Sequence, residues 1–73
     1  MGGISYRLSP LERDIIALLR DCRYGMDIVR IEEGVGRERH DPEVLRAITR
    51  LKSFGIIRRK GTSYNHLVLW ILM

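Results

Sequence analysis

Two arginines one helical turn apart, Arg46 and Arg50, and the run Arg58-Arg59-Lys60 are the side chains best suited to chemistry in this chain. A guanidinium offers a planar fork of donors that matches guanine O6 and N7 in a major groove, and any of these cations can neutralise a phosphate. Hydroxyls lie among them. Thr49, Ser53, Thr62, Ser63 and Tyr64 can each donate to a phosphate oxygen. Arg37, Arg39 and His40 form a further basic turn just upstream. Residues 44–73 carry six basic side chains and no acid, whereas residues 1–43 carry seven basic and nine acidic ones, so the chain's net charge of +4 is very unevenly placed. A surface selected only for solubility mixes its signs, and a one-sided field of this kind suits a polyanion.

Each cation also has a plain structural use. The stem of Lys52 can cover apolar surface. Arg58 and Arg59 alternate along an extended segment, so one is expected to face solvent fully and the other to pair with an acid such as Asp14 or Glu12. Arg46 is harder to explain by stability, because its i±4 neighbours are Pro42 and the like-charged Arg50.

Other chemistries are poorly served. Cys22 is the only cysteine, which leaves no disulfide framework and points to a reducing compartment. His40, His66 and Cys22 are too scattered for metal-ligand spacing, and no metal or cofactor is expected. There is no Ser-His-Asp grouping, nucleophile elbow or Gly-rich phosphate loop, so an enzyme is not expected. The opening residues lack the pattern of a signal peptide, and the longest apolar run, residues 67–73, is far short of the roughly 20 that cross a bilayer. A cytoplasmic, nucleoid-associated protein with no membrane contact is the expectation. Eleven of the 13 basic residues are Arg, Gln is absent and Asn occurs once, a bias shared by hot habitats and GC-rich genomes; a thermophile is one expectation.

The elements that must position these residues can be read from caps and periodicity. Ser9-Pro10-Leu11-Glu12 combines a capping box with Pro at N1, and Leu11, Ile15, Leu18, Leu19 and Cys22 recur at helical spacing. A helix is predicted over about 10–22, with Glu12, Arg13, Asp14 and Arg20 outward. Asp27 caps a second helix over about 27–34, ended by Gly34 and Gly36 as left-handed caps. Asp41-Pro42-Glu43 starts a third over about 42–54. At 3.6 residues per turn it places Val44, Ile48 and Leu51 inward with Ala47 beside them, and Arg46, Thr49, Arg50 and Ser53 outward. Glu43 sits where it complements the helix dipole. Two strands, about 56–60 and 66–72, joined by a turn over 61–65, form an antiparallel hairpin. The fold class is α+β, mainly helical, in one domain spanning 1–73.

Three helices and a C-terminal hairpin at this length are the layout of a winged helix-turn-helix. Tyr24-Gly25-Met26-Asp27-Ile28 resembles the "YGxxI" entry to helix 2 in PadR-type regulators. The segment Arg50-Leu51-Lys52-Ser53-Phe54-Gly55-Ile56-Ile57-Arg58-Arg59 resembles the "RLxxxGLIxR" signature of MarR-, ArsR- and PadR-type prokaryotic regulators, including archaeal ones. The resemblance spans residues 9 to about 66. It implies that helix 3 lies in the DNA major groove with Arg46 and Arg50 on its exposed face. It also implies a wing formed by Arg58, Arg59 and Lys60 with a tip at residues 62–65, lying on the backbone or in the minor groove. The chain differs from PadR and MarR patterns in its longer charged turn between helices 2 and 3, and no dimerisation helix after the wing is expected from residues 67–73.

The second strand does not alternate with polar residues. One face is expected to pack on helices 1 and 3. The other, along Leu67, Leu69 and Ile71 or along Val68, Trp70 and Leu72, is expected to be sticky surface or an interface with a second copy or another partner. Helix 1 is the other candidate for a homodimer contact, and residues 4–7 are a candidate for an added strand at the sheet edge. The function expected is a sequence-specific regulator of transcription bound to double-stranded DNA. The alternatives are a winged-helix protein-interaction module of a larger transcription, replication or division complex, and an RNA-binding role.

Overall fold

The computed structural model describes residues 7–73, so the strand considered for residues 4–7 falls almost wholly outside the described residues. The order is α1 (Pro10–Arg20), α2 (Ile28–Gly34), α3 (Pro42–Ser53), β1 (Ile57–Thr62) and β2 (Val68–Leu72). All five predicted elements are present, with ends that differ by up to two residues.

Each helix start follows from its cap. The Ser9 hydroxyl accepts from the Glu12 amide at 3.2 Å, and Glu12 Oε1 accepts from the Ser9 amide at 2.8 Å, which closes the box ahead of α1. Asp27 accepts from the Arg30 amide at 2.9 Å, and Asp41 from the Glu43 amide at 2.9 Å. Such a cap contributes about 1 kcal/mol by satisfying amides that the helix leaves open. α1 stops at Arg20, with Asp21 as its cap; beyond it the Cys22 thiol donates to the Gly25 carbonyl at 3.4 Å, within a turn rather than a helix.

The apolar faces of the three helices meet in one core. Ile15 and Leu19 from α1, Ile31 from α2, and Val44, Ala47, Ile48 and Leu51 from α3 are buried, together with Ile57 at the head of β1. Trp70 and Leu72 of β2 pack against this cluster. Gly34 does not serve as the left-handed cap expected of it. It is the last residue of α2, and a Cβ there would lie 2.5 Å from Leu18 Cδ2, so its missing side chain lets α1 and α2 approach. The left-handed residue after α2 is Gly36, with φ +73°.

β1 and β2 pair antiparallel from Ile57↔Leu72 to Thr62↔Val68. The register slips between Arg59 and Gly61, so Lys60 is bulged out of the ladder and the strand continues two residues past its predicted end. Gly61 and Thr62, read as turn residues from the sequence, are strand residues, and the turn begins at Ser63. The other edge of β2 is also used. Met26 donates to the Trp70 carbonyl at 3.0 Å and accepts from the Trp70 amide at 2.9 Å, an antiparallel bridge just before α2. At Trp70 the two-stranded sheet is therefore bridged by a third segment of the chain.

The residue that makes this bridge possible is Gly25. Its φ is +96°, and a Cβ would sit 3.3 Å from the Trp70 carbonyl oxygen and 3.2 Å from Ile71 Cγ2. Gly25→Ala should therefore lower unfolding free energy by roughly 1–3 kcal/mol through backbone strain. Urea denaturation of the variant beside the parent checks this, and an unchanged midpoint would contradict it.

Candidate nucleic-acid interface

The outer face of α3 is built as its periodicity requires. With Val44, Ala47, Ile48 and Leu51 buried, Leu45, Arg46, Thr49, Arg50, Lys52 and Ser53 are exposed. The cations on and near this face are not equivalent. Arg50 Nε lies 3.4 Å from Glu12 Oε2, and the Arg50 guanidinium stands over the Phe54 ring at 5.2 Å. Glu12, expected to point outward, is only 1% exposed. Its Oε1 closes the cap of α1, and its Oε2 has no hydrogen-bond partner, so Arg50 is the charge that compensates it. Arg50 thus ties α3 to α1 while half of its side chain stays in solvent.

Arg37 is tied in a different way. Its Nη1 donates to Glu43 at 2.9 Å and to Asp41 at 3.1 Å, which fastens the turn before α3 to the helix start. The hydrogen bonds to Glu43 and then Asp41 favour the charged guanidinium and raise its pKa above the ordinary arginine value. Glu43 accordingly serves the turn as well as the helix dipole. The same turn is held from α2, where buried Glu32 accepts from the His40 amide at 2.8 Å and His40 takes a left-handed backbone, φ 64°. Arg39 and the His40 side chain are exposed beside it.

Among the described residues Arg46 makes no ion pair. Arg37, Arg46 and Arg50 open onto one cleft with Glu12 and Glu43. The hydroxyls of α3 are turned inward on their own helix: Thr49 donates to the Leu45 carbonyl at 2.9 Å and Ser53 to the Arg50 carbonyl at 2.7 Å. Their expected donation to phosphate competes with these bonds.

The wing residues form a second group. Arg58, Arg59 and Lys60 are all exposed, and the pairing of one of the two arginines with Asp14 or Glu12 is not formed, since Glu12 faces Arg50 instead. Lys60 Nζ lies 5.7 Å from the centre of the Tyr24 ring. Ser63 Oγ accepts from the amides of Asn65 and Leu67, so it organises the turn; Thr62 is exposed and Tyr64 is 99% exposed at the tip. Tyr24 and Arg30 share a cleft with Ser63, Tyr64 and Asn65, a neighbourhood that sequence spacing did not reveal.

In β2 the residues considered for a partner, Leu67, Leu69, Trp70 and Ile71, are all half-buried. Trp70 packs against the core, pairs with Met26 and Arg59, and has Lys52 Nζ at 5.8 Å from its ring. Gly25 closes over Leu69 and Ile71. Among the described residues no group of three or more His, Cys, Asp or Glu side chains could hold a metal ion, and no helix is long and apolar enough to cross a membrane.

This arrangement, a tri-helical unit whose third helix leads into a twisted hairpin, is the winged helix-turn-helix fold. Solved structures share it. A cysteine-to-serine mutant of ZitR from Lactococcus lactis superposes with a TM-score of 0.78 at 19% identity, over 100% of this chain and 48% of that one. A MarR-family transcriptional regulator from Silicibacter pomeroyi gives 0.75 at 21% identity, over 90% and 42%. The chain thus spans less than half the length of either. No protein-family model and no curated protein matches the sequence.

The unequal ties of the two α3 arginines can be measured by urea denaturation. Arg50→Ala leaves the Glu12 carboxylate buried without its counter-charge and should cost about 1–2 kcal/mol, a figure discounted because water can reach the vacated side. Arg46→Ala should stay within about 0.5 kcal/mol of the parent. Equal costs would contradict the assignment.

Proposed function

We propose that this chain is a sequence-specific, double-stranded DNA-binding regulator of transcription, with α3 in the major groove and the β1–β2 wing on the neighbouring backbone or minor groove. The observation that carries this reading is Arg46: an exposed arginine on the outer face of the third helix of a winged helix, with no ion pair among the described residues. A charge without a structural partner in such a place is explained by an anionic ligand. The wing supports it, because Arg58, Arg59 and Lys60 are exposed without an ion pair among the described residues.

The division of labour follows from the ties. Arg46 is the base reader, its fork directed to guanine O6 and N7. Arg50 lies beside it with Nε turned to Glu12, leaving its terminal nitrogens for a phosphate or base edge. Arg58, Arg59, Lys60, Thr62 and Tyr64 meet phosphates from the wing, and Ser63 shapes its turn. Arg39 and His40 approach the backbone from the turn before α3, whereas Arg37 is largely neutralised by Asp41 and Glu43. No catalytic step and no cofactor belong to this function.

The protein-interaction alternative depends on an open face of β2. It draws less support, since Trp70 and Leu72 pack on the core and Gly25 lies against Leu69 and Ile71. The same burial narrows the surface of β2 left for a second copy, and α1 remains the other candidate for a homodimer contact.

Binding to duplexes selected from a random library, followed by fluorescence anisotropy, tests the reading. Affinity should fall by about 100-fold or more between roughly 50 and 200 mM salt, since several phosphates are neutralised. Arg46→Ala should lose about 1–3 kcal/mol of discrimination at one base pair, whereas Lys60→Ala should weaken all sequences alike and flatten the salt slope. Parent-like binding by both variants would refute it. Paired half-sites about one helical turn apart in the selected DNA would report two copies on the duplex.

A further inference from the structure

The outer face of α3 carries a second feature that the cations do not explain. Leu45 is 56% exposed, in contrast to the buried apolar residues of the same helix. Thr49 lies one turn on, and its hydroxyl is bonded to the Leu45 carbonyl, which leaves its γ-methyl as the group not tied to the helix. Leu45 and Thr49 therefore form a short apolar row at i,i+4, and Arg46 and Arg50 form a cationic row beside it. A protein partner for an exposed leucine would ordinarily offer an apolar pocket, yet here the adjoining row is positively charged and no acid follows Glu43 in the sequence. An apolar patch edged by arginine matches a surface that presents methyl groups among anions. In duplex DNA that surface is the major groove, where the thymine 5-methyl is the apolar group.

Resting on the DNA-binding reading above, we propose that Leu45, with the Thr49 methyl beside it, reads thymine 5-methyl groups next to the base pair contacted by Arg46. The site bound most tightly then contains a thymine within one or two base pairs of the guanine that Arg46 recognises. Leu45 contributes discrimination and Arg46 contributes both charge and discrimination. Thr49 and Ser53 need give no hydrogen to DNA, which agrees with their bonds to the helix carbonyls.

Replacing thymine by uracil removes the methyl and leaves every hydrogen-bonding group in place, so it isolates this contact. Starting from a duplex selected for tight binding, each thymine is replaced in turn and the dissociation constant measured by anisotropy. One or two positions should show a loss of about fourfold each, the value of one buried methyl. Leu45→Ala should bind the thymine duplex more weakly by a similar or larger factor and should no longer distinguish thymine from uracil there. Thr49→Ser, which keeps the hydroxyl bond and deletes only the methyl, should lose part of the distinction. Thermal melts of both variants, expected to match the parent because both sites are exposed, show that the fold is intact. Site-specific binding with no uracil effect, or an undiminished uracil effect in Leu45→Ala, overturns the thymine assignment alone. No binding to any duplex overturns the DNA-binding reading, and this one with it.

Discussion

A single carboxylate at the first turn of α1 sets how the helices of this small fold are held. Glu12 closes the capping box with Ser9 through one oxygen and faces Arg50 of α3 with the other. Burying a carboxylate is costly unless its charge is compensated, and here the compensation comes from another element. The start of α1 and the third turn of α3 are consequently fixed with respect to one another. The apolar contacts of Ile15 and Leu19 in the core are non-directional, so they set the register of α1 less sharply than a charge pair does. The ion pair supplies the register that packing leaves loose. A folded unit of this size buries a smaller fraction of its surface than a large domain does, and so gains from directional ties of this kind.

The same tie changes what the charge pattern means. Counted along the sequence, residues 44–73 are six positive charges against none. In space one ion pair crosses between the halves, Glu12 facing Arg50, whereas Asp41 and Glu43 hold Arg37 within the first half. Of the six cations in residues 44–73 only Arg50 faces an acid; Arg46 and Lys52 on α3 and Arg58, Arg59 and Lys60 on the wing have no ion pair among the described residues. Five of the six charges thus stay free of an acid, and they lie on the outer side of α3 and on the hairpin. A polyanion meets unpaired charge first, because pulling a cation from an acid it already faces costs part of the gain.

Most of the fold was legible in the sequence, and the gaps have physical reasons. Capping boxes and Pro at N1 are local signals, and all three helix starts were read correctly from Ser9, Asp27 and Asp41. Periodicity gave the buried face of α3. The misjudgements concern contacts made across the chain. Glu12 looks like a surface residue until α3 supplies Arg50. Gly34 looks like a cap until Leu18 fills the space over it. The unalternating β2 did not reveal that Trp70 and Leu72 pack on the core, nor that Met26 bridges its second edge at Trp70, a one-residue contact too short to leave a pattern. At the site, the exposure of Arg46 followed from spacing, whereas the binding of the Thr49 and Ser53 hydroxyls to carbonyls one turn back did not. The exposure of Leu45 was within reach, since it lies one position past buried Val44 and four before Thr49, but the periodic reading assigned it to neither face.

These ties also decide which parts of the face are free to vary. Glu32, Asp41, Glu43, Arg37 and Arg50 hold α3 in place, so substituting them disturbs the frame as well as any ligand. Leu45 and Arg46 have no comparable task, and the Thr49 hydroxyl serves only its own helix. Side chains without a structural role can be exchanged at small cost to stability, typically within about 0.5 kcal/mol. A helix arranged in this way separates the residues that set its pose from those that only furnish its outer face.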